Sequence, residues 1–269
     1  MFTYIVSPEE SIQSICHSRE TTPMSVLFHR HCHTNYELLL VISGDVHYNI
    51  DGQQYILKPY DLLFIPASTY HFLIPKSNNL YESVVLNFNQ ELLQEDRLQA
   101  LFAQPRVINI LTDLIFHRMF GLFDLYFQTY MPNDFKVAAE LLLKEILLYA
   151  SYKVGTGEFA EPVANFHPLI SRIISYITEN LHKDINSDII AKELNFSQSY
   201  VQNVFSSVME IGLQEYINQK KIHAAHYDIQ SGMAPSDAAA KYGYHNYSSF
   251  YRQYKKFFGQ SPKKIGKNQ

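Results

Sequence analysis

Short apolar runs separated by turn residues fill positions 25–88. Six of these runs have the length of β-strands, and they cover residues 36–43, 46–50, 53–57, 61–65, 71–74 and 83–88. The second and third runs flank Asp51-Gly52, and such a pair favours a two-residue hairpin because both residues tolerate a positive φ. Strands this short and closely spaced predict an antiparallel sandwich or a small barrel.

The apolar spacing changes to a helical period beyond the last of these strands. Residues 91–102 are weakly helical, and apolar residues recur at helical spacing through 109–129. A further helix is predicted over about 134–153, with Asn133 as its N-cap after Pro132. The apolar stripes on the two longer helices allow two interpretations: packing within one domain, or an interface between subunits.

A polar segment over residues 155–162 is the predicted linker, and the chain beyond it is a series of short helices. The first is an amphipathic helix over 168–181. Ser187 is predicted to cap a second helix, a tight turn follows at Asn195-Phe196, and Ser197 is predicted to cap a third helix. The inward residues of the second and third helices would be Ile190, Ala191, Leu194, Val201, Val204 and Phe205. Two short helices joined by a tight turn form a helix-turn-helix arrangement.

The same arrangement recurs nearer the C-terminus. Pro235 begins a helix, a turn follows at Gly243-Tyr244, and the next helix has inward residues Phe250, Tyr254 and Phe257. In each unit an alanine of the first helix, Ala191 or Ala239, stands five residues before an aromatic residue of the turn. A single helix over about 214–230 would connect the two units.

Charge separates the chain into two halves with different expected partners. The chain has 269 residues, enough for two domains, with 46% hydrophobic and 18% charged residues. Residues 1–165 hold 10 Lys+Arg and 18 Asp+Glu, a net −8, whereas residues 166–269 hold 12 and 8, a net +4. We therefore expect only the second half to bind a polyanion. A start without signal-peptide character, and only two cysteines, Cys16 and Cys32, favour a reducing cytoplasm.

Three segments of the second half resemble the AraC/XylS family of bacterial transcription regulators. The matching segments are IIAKELNFSQSYVQNVF, EYINQKKIHAA and PSDAAAKYGYHNYSSFYRQYKKFFGQSP. The sequence departs from the family pattern at Glu210, Lys221 and Tyr244, where glycine, arginine and phenylalanine are usual. The resemblance implies a DNA-binding domain with two helix-turn-helix units.

The second helix of each unit would enter the major groove, so its outward residues are the DNA-binding candidates. In the first unit the outward residues are Gln198, Ser199, Gln202, Asn203 and Ser206. The resemblance favours Ser199, Gln202 and Asn203 among them as contacts to base edges. In the second unit the outward residues are Tyr247, Ser248, Tyr251 and Arg252, of which Arg252 can donate two hydrogen bonds to guanine. The residues expected to contact phosphates are Lys255, Lys256, Lys263 and Lys264.

A second group of candidates lies in the first half. His31, His33 and Glu37 have the spacing H-x-H-x3-E, which resembles the first metal-binding motif of cupin barrels, and His71 could add a fourth ligand. Such ligands suit Zn, Fe, Ni or Mn. Tyr60, however, stands where the second cupin motif has a glycine, so we predict no bound metal. The expected alternative is a small-molecule pocket at the barrel mouth, lined by His31, His33, Tyr36, Glu37, Tyr48 and His71.

The sequence thus predicts an α+β chain of two domains. A cupin-like antiparallel β-barrel with accessory helices, over residues 1–153, would bind an effector and form a homodimer. Residues 154–165 would be a linker, and residues 166–269 an all-α domain with two helix-turn-helix units.

The predicted function is that of a cytoplasmic, ligand-responsive transcription regulator that is not an enzyme and needs no cofactor. Its partners would be double-stranded promoter DNA, RNA polymerase, a second copy of the chain and a small-molecule effector such as a sugar, with no membrane contact. Two alternatives remain: a cupin metalloenzyme fused to a DNA-binding module, and an activator whose sensor domain responds to no ligand.

Overall fold

A computed structural model describes residues 2–5, 11–21, 30–155, 164–165 and 167–263. The chain divides into two compact units, one formed mainly by residues up to Ala164 and the other mainly by residues from Asn165 onward. Most of the predicted linker lies outside the described residues, although its first part, up to Gly155, is helical.

Antiparallel strands form the first part of the N-terminal unit, as the sequence predicts. They are β1 (Phe2–Ile5), β2 (Ile12–Glu20), β3 (Tyr36–Ser43), β4 (Val46–Ile50), β5 (Gln53–Leu57), β6 (Asp61–Ile65), β7 (His71–Pro75), β8 (Tyr81–Phe88) and β9 (Arg106–Asn109). One sheet has the order β1-β2-β8-β3-β6-β9, and in the other β4 lies between β5 and β7. Among the described residues the strands form two sheets and do not close into one continuous ring.

The predicted hairpin joins β4 to β5. Asp51 has a φ of 43° and Gly52 a φ of 78°, so both residues adopt the left-handed conformation that a two-residue turn between twisted strands requires. The prediction of a two-residue hairpin turn at Asp51-Gly52 is therefore confirmed.

Alternation along β3 divides the core of this unit into two layers. Leu38 and Leu40 pack with the helices that follow the sheets, whereas Leu39 and Val41 point into the space between the sheets. Because successive side chains of a strand point to opposite faces, neighbouring residues of β3 have different surroundings.

The helices of this unit differ from the prediction at their starts. The segment predicted as weakly helical over 91–102 contains only α1 (Asp96–Gln99) between two short 3-10 turns. The helix predicted to begin at residue 109 begins later, as α2 (Leu114–Thr129), because Asn109 ends β9, a turn follows and Asp113 is the N-cap. Asn133 is not an N-cap, since α3 (Pro132–Gly155) already begins one residue earlier.

Asp113 fixes the start of α2 and links it to α3. Its Oδ1 accepts hydrogen bonds from the backbone N–H groups of Ile115 and Phe116, at 3.1 and 3.3 Å. Its Oδ2 accepts a hydrogen bond from the Tyr149 hydroxyl at 3.0 Å and lies 3.0 Å from Lys153 Nζ. Burial by itself would raise the pKa of Asp113, but these partners outweigh it and lower the pKa.

The C-terminal unit is helical. Its helices are α4 (Pro168–Glu179), α5 (Ser187–Leu194), α6 (Gln198–Met209), α7 (Leu213–Gln230), α8 (Pro235–Lys241) and α9 (Tyr247–Phe258). The pair α5–α6 and the pair α8–α9 each form one helix-turn-helix, and α7 packs against α6, α8 and α9. No helix among the described residues is long and apolar enough to cross a membrane.

The two helix-turn-helix units repeat the same backbone hydrogen bond. Phe196 N donates to Ala191 O at 2.9 Å in the first unit, and Tyr244 N donates to Ala239 O at 3.0 Å in the second. Both turns contain a left-handed residue, Asn195 in the first and Gly243 in the second. The equal alanine-to-aromatic spacing in the two units therefore corresponds to the same backbone hydrogen bond in both turns.

The predicted cap of α5 is also wrong. Asn186, not Ser187, caps α5, because Asn186 Oδ1 accepts hydrogen bonds from the backbone N–H groups of Asp188 and Ile189, each at 3.0 Å. Ser187 is the first residue of α5 and is buried. The prediction for Ser197 is confirmed, since its Oγ accepts a hydrogen bond from Tyr200 N at the start of α6.

Lys221 replaces the usual arginine in the interior of the C-terminal unit. Its Nζ donates a 2.7 Å hydrogen bond to the backbone oxygen of Lys183, which precedes α5. Burial lowers the pKa of Lys221, and a nearby aspartate only partly offsets this effect. The lysine thus ties α7 to the segment that leads into the first unit.

Candidate functional site

The outward faces of α6 and α9 carry the predicted DNA-binding residues. Val201, Phe205 and Met209 bury one side of α6, while Phe250 and Tyr254 bury the matching side of α9; Val204 is only half-buried. The predicted residues that are exposed are Gln198, Ser199, Gln202, Asn203, Ser206, Tyr247, Ser248, Tyr251, Arg252, Lys255, Lys256 and Lys263. Lys264 lies outside the described residues.

The two helices present different chemistry at equivalent positions. The first and fifth residues of α6 are Gln198 and Gln202, and both side-chain nitrogens donate to Ser187 Oγ, at 2.8 and 2.9 Å. The first and fifth residues of α9 are Tyr247 and Tyr251, which are 44% and 37% exposed. One helix therefore offers carboxamides where the other offers aromatic rings.

Two exposed aromatic residues, one just before α6 and one in its first turn, were not among the predicted candidates. Phe196 is 39% exposed and Tyr200 is 47% exposed, and their ring centroids are 5.3 Å apart. The sequence identified Phe196 only as a turn residue. Its position two residues before α6, a helix predicted to enter the major groove, was the signal that it could face DNA.

The histidine–glutamate cluster in the N-terminal unit consists of His31, His33, Glu37 and His71. One ligand atom from each residue lies within 4.8 Å of the others. The backbones of His31 and His71 form a two-way bridge, with N···O distances of 3.2 and 3.0 Å. His31 and His33 precede β3, in an irregular segment with this single bridge.

Glu37 is the buried centre of the cluster, with 4% of its surface exposed. Its Oε2 lies 3.2 Å from His33 Nε2 and 3.7 Å from His71 Nε2, and its Oε1 accepts a hydrogen bond from the Tyr48 hydroxyl at 3.2 Å. Burial by itself would raise the pKa of Glu37, but the two imidazoles outweigh it and hold the pKa far below its usual range. The site therefore contains a buried carboxylate anion, which favours a bound cation or hydrogen-bond donors.

Backbone carbonyls orient two of the imidazoles towards Glu37. His33 Nδ1 donates to Asn35 O at 3.0 Å, and His71 Nδ1 donates to Thr69 O at 2.8 Å. With Nδ1 carrying a hydrogen, Nε2, the atom that faces Glu37, donates to the carboxylate when the ring is protonated and offers a lone pair to a cation when the ring is neutral. Histidine ligands of metals commonly show this arrangement.

Tyr36 does not belong to the cluster, and its prediction as an effector-binding residue is corrected. It precedes Glu37 on β3, so its side chain points to the opposite face, where it stacks on Phe88 and meets Phe102 edge to face. The other five predicted residues come together, because Tyr48 reaches Glu37 from β4.

Tyr60 stands where the second cupin motif has a glycine, but this difference does not prevent the glycine-like turn. Tyr60 has a φ of 65°, so it adopts the left-handed conformation for which glycine is usually required. Its N–H donates to Val41 O at 2.6 Å, and its carbonyl accepts from Ile110 N at 2.9 Å. The backbone shape of this turn is thus present without the glycine.

Comparison with known proteins relates both sites to families. Residues 14–144 match the AraC-like ligand binding domain, and residues 190–268 match a helix-turn-helix domain. Regulatory protein SoxS of Salmonella typhimurium is 30% identical over 95 residues, which cover 35% of this chain and 89% of that protein. The HTH-type transcriptional activator AarP of Providencia stuartii is 30% identical over 95 residues, which cover 35% of this chain and 70% of that protein. The crystal structure of ToxT from Vibrio cholerae O395 is 12% identical with a TM-score of 0.39, over 94% of this chain and 95% of that chain.

A ligand-binding unit joined to two helix-turn-helix units defines a transcription regulator with a sensor domain and a DNA-binding domain. The relatives are themselves regulatory proteins. The chain belongs to the AraC family, as the resemblance in the sequence implied.

Proposed function

We propose that the chain regulates transcription by inserting α6 and α9 into successive major-groove faces of promoter DNA in response to a ligand of the N-terminal unit. The observation that supports this proposal is the repetition of one helix-turn-helix geometry, with exposed polar residues at the start of each second helix. The chain acts in the cytoplasm with RNA polymerase as its partner, and it has no catalytic role of its own.

The proposed division of work on DNA separates base reading from phosphate binding. Arg252 projects from α9, where only Ser249 Oγ lies near its guanidinium, at 3.5 Å, among the hydrogen bonds described. A guanidinium can donate two parallel hydrogen bonds to guanine O6 and N7. Lys255 and Lys256 follow on the last turn of α9 and are placed for phosphates, which carry no sequence information.

Titration over a salt series with the preferred DNA site and with unrelated DNA tests this division. We expect Arg252→Ala to weaken the preferred site by about 1–3 kcal/mol and to relax the preference at one base pair. Lys255→Ala with Lys256→Ala, the matched control, should weaken all sequences alike and lower the salt slope by up to about 2. If Arg252→Ala reduced binding to both DNAs equally, Arg252 would be a phosphate contact and the proposal for α9 would be wrong.

The proposed effector site is the histidine–glutamate cluster. Glu37, Tyr48 and the imidazoles offer hydrogen-bond acceptors and donors at close quarters, the chemistry that hydroxyl groups of a sugar require. His31 is the exposed member of the cluster and marks the side from which a ligand would approach. A ligand that binds one arrangement of the sensor more tightly shifts the population of DNA-binding states.

A transition-metal cation is the second candidate ligand, and the orientation of the imidazoles favours it. Ligand atoms about 2.1 Å from a tetrahedral ion lie about 3.4 Å apart, so the observed spread of up to 4.8 Å requires only small side-chain movements. Three imidazoles and a carboxylate fit Zn, Fe, Ni or Mn. In this case His31, His33, Glu37 and His71 would hold the ion, and the ion itself would be the signal.

Elemental analysis of purified protein, with thermal-shift measurements against sugars and against Zn²⁺, Ni²⁺ and Mn²⁺, separates the candidates. A sugar that raises the melting temperature of the wild type, but not of His31→Ala/His33→Ala, supports the organic effector. About one metal per chain, lost in that variant and kept in the control His182→Ala, supports the cation. Turnover by the metal-loaded protein would revive the metalloenzyme alternative, and no response to any ligand would indicate a sensor without a function.

The proposed homodimer uses the outer faces of α2 and α3. Apolar residues at helical spacing remain exposed there, including Leu114 on α2, which is 71% exposed, and Leu141 on α3, which is 63% exposed. The remaining large exposed apolar residues on the same helices are Ile115, Leu125, Phe127, Val137, Leu148 and Tyr152. Contiguous exposed apolar residues are typical of a protein interface, and a second copy of the chain is the occupant that we propose.

A further inference from the structure

The hydroxyl of Ser187 lies between α5 and α6 of the first helix-turn-helix unit, and it does not cap α5. Asn186 already caps α5, so the buried Ser187 Oγ is available to side chains of the next helix. It accepts one hydrogen bond from Gln198 Nε2, at 2.8 Å, and one from Gln202 Nε2, at 2.9 Å. The buried Ser187 Oγ of α5 thus accepts hydrogen bonds from two exposed carboxamides of α6.

We infer that Ser187 is a positioning residue that prepares the carboxamides of Gln198 and Gln202 to read adenine in the half-site of the first unit. This inference rests on the proposed DNA-binding function. A carboxamide nitrogen carries two hydrogens, so each glutamine that donates one to Ser187 keeps an N–H and a carbonyl oxygen. This pair of groups complements N7 and the N6 amino group of adenine in the major groove.

The advantage of the arrangement is entropic. A free glutamine side chain rotates about three bonds, and ordering it on binding costs conformational entropy. A glutamine that is already hydrogen-bonded to a buried hydroxyl loses less freedom when DNA arrives. The difference in affinity between the right and the wrong base also increases, because a fixed amide cannot rotate to pair with a different base edge.

The second unit has no equivalent arrangement among its described residues. The first and fifth residues of α9 are Tyr247 and Tyr251, which contain no carboxamide, and α8 begins with Pro235 in place of a serine. Ser236, the second residue of α8, is exposed and lies 3.4 Å from the carboxylate of Asp237. We therefore expect recognition of adenine by a pre-positioned amide in the first half-site only. Ser236 is a matched control position.

The experiment selects binding sites from a library of random DNA duplexes with the full-length wild type, and then measures affinities for the selected site and its single base-pair variants. Gln202→Ala identifies the base pairs read by the first unit, and Arg252→Ala identifies those read by the second. We expect the wild type to prefer A·T over G·C at a first-unit position by about 5- to 150-fold, the range of one good amide–adenine contact. Ser187→Ala should reduce this preference to a few-fold and leave the second half-site and the salt slope unchanged.

Ser187→Thr keeps the hydroxyl and should keep the preference, and Ser236→Ala should resemble the wild type. Replacement of the selected adenine by 7-deazaadenine should weaken the wild type and have little further effect on Ser187→Ala, because N7 is the atom removed. If Ser187→Ala weakened all sequences alike, or kept the full A·T preference, the inference would be wrong. If the wild type selected no sequence at all, the proposed function itself would fail.

Discussion

At the scale of single residues, left-handed backbone conformations mark the turns on which both sites depend. Among the described residues outside glycine, five have a positive φ: Asp51, Tyr60, Ser68, Asn195 and Glu210. Glu210 ends α6 with a φ of 52°, and Gly259 ends α9 with a φ of 68°. A residue with a Cβ in this conformation carries a strain of about 1 kcal/mol that glycine avoids.

Glu210→Gly should therefore stabilise the end of α6 by about 1 kcal/mol, because it removes this strain at an exposed position. Gly259→Ala, the reverse change at the equivalent position, should destabilise the end of α9 by a similar amount, since a Cβ there would meet open space and only strain would be added. Amide hydrogen exchange in the last turns of the two helices measures both effects. A Glu210→Gly protein with faster exchange in α6 would contradict the strain argument.

Residue spacing predicted much of the candidate site and missed what depends on alternation and on caps. The H-x-H-x3-E spacing and His71 identified the four cluster residues, since their chemistry is visible in the sequence. Tyr36 was predicted to line the pocket, but its neighbour Glu37 points to that face of β3 and Tyr36 points to the other. The role of Ser187 was hidden because Asn186 and Ser187 are both good caps, and only the three-dimensional structure shows which one caps α5.

At the scale of elements, the helix start at Asp113 determines how α2 meets α3. Asp113→Ala should destabilise this pair by about 1–2 kcal/mol, because the two N–H groups at the start of α2 lose their acceptor. Asp113→Asn, the matched control, keeps a capping oxygen but loses the charge facing Lys153 and the Oδ2 acceptor of the Tyr149 hydroxyl, so it should cost less. Hydrogen exchange of α2 amides distinguishes the two. Equal losses would assign the effect to the contacts of Oδ2 with Tyr149 and Lys153.

The packing of α7 against α9 should make the C-terminal unit sensitive to acid. Burial lowers the pKa of His226 to about 4, and its Nδ1 lies 2.5 Å from the hydroxyl of Tyr254 on α9. The unfolded chain binds a proton near pH 6.5 and the folded chain does not, so stability is full above pH 6.5 and falls as pH drops towards 4, by up to about 3 kcal/mol. The difference between wild type and His226→Phe in α7 and α9 amide protection, measured at pH 7.5 and pH 5, reports this contribution. A difference that stays constant with pH would exclude it.

Periodicity predicted most elements, and the elements it missed have weak patterns. The Asp51-Gly52 hairpin and the two helix-turn-helix units have strong local signals, namely turn residues between apolar runs. β2 contains polar residues at most positions, and its stability comes from pairing with β8 over most of its length. β9 has only four residues, with two apolar residues between Arg106 and Asn109, so no strand was predicted there. Pairing between distant segments decides such strands, and no local pattern contains it.

At the scale of the whole molecule, the apolar outer faces of α2 and α3 predict association. Leu141→Lys should shift the full-length chain towards monomer by at least tenfold in dissociation constant, because it places a charge in an apolar interface. Gln94→Lys adds the same charge at an exposed position outside these helices and should leave association unchanged. Sedimentation over a concentration series measures both. A wild type that remains monomeric at tens of micromolar would contradict the proposed dimer.

The unlike residues at the starts of α6 and α9 give a bound chain a direction along the DNA. Carboxamides and aromatic rings select different base steps, so the two halves of the site cannot be exchanged, although the scaffold beneath them is repeated. A site turned end for end is then a different site. If the chain binds DNA as proposed, the orientation of the site relative to a promoter, and not only its distance, should therefore affect regulation.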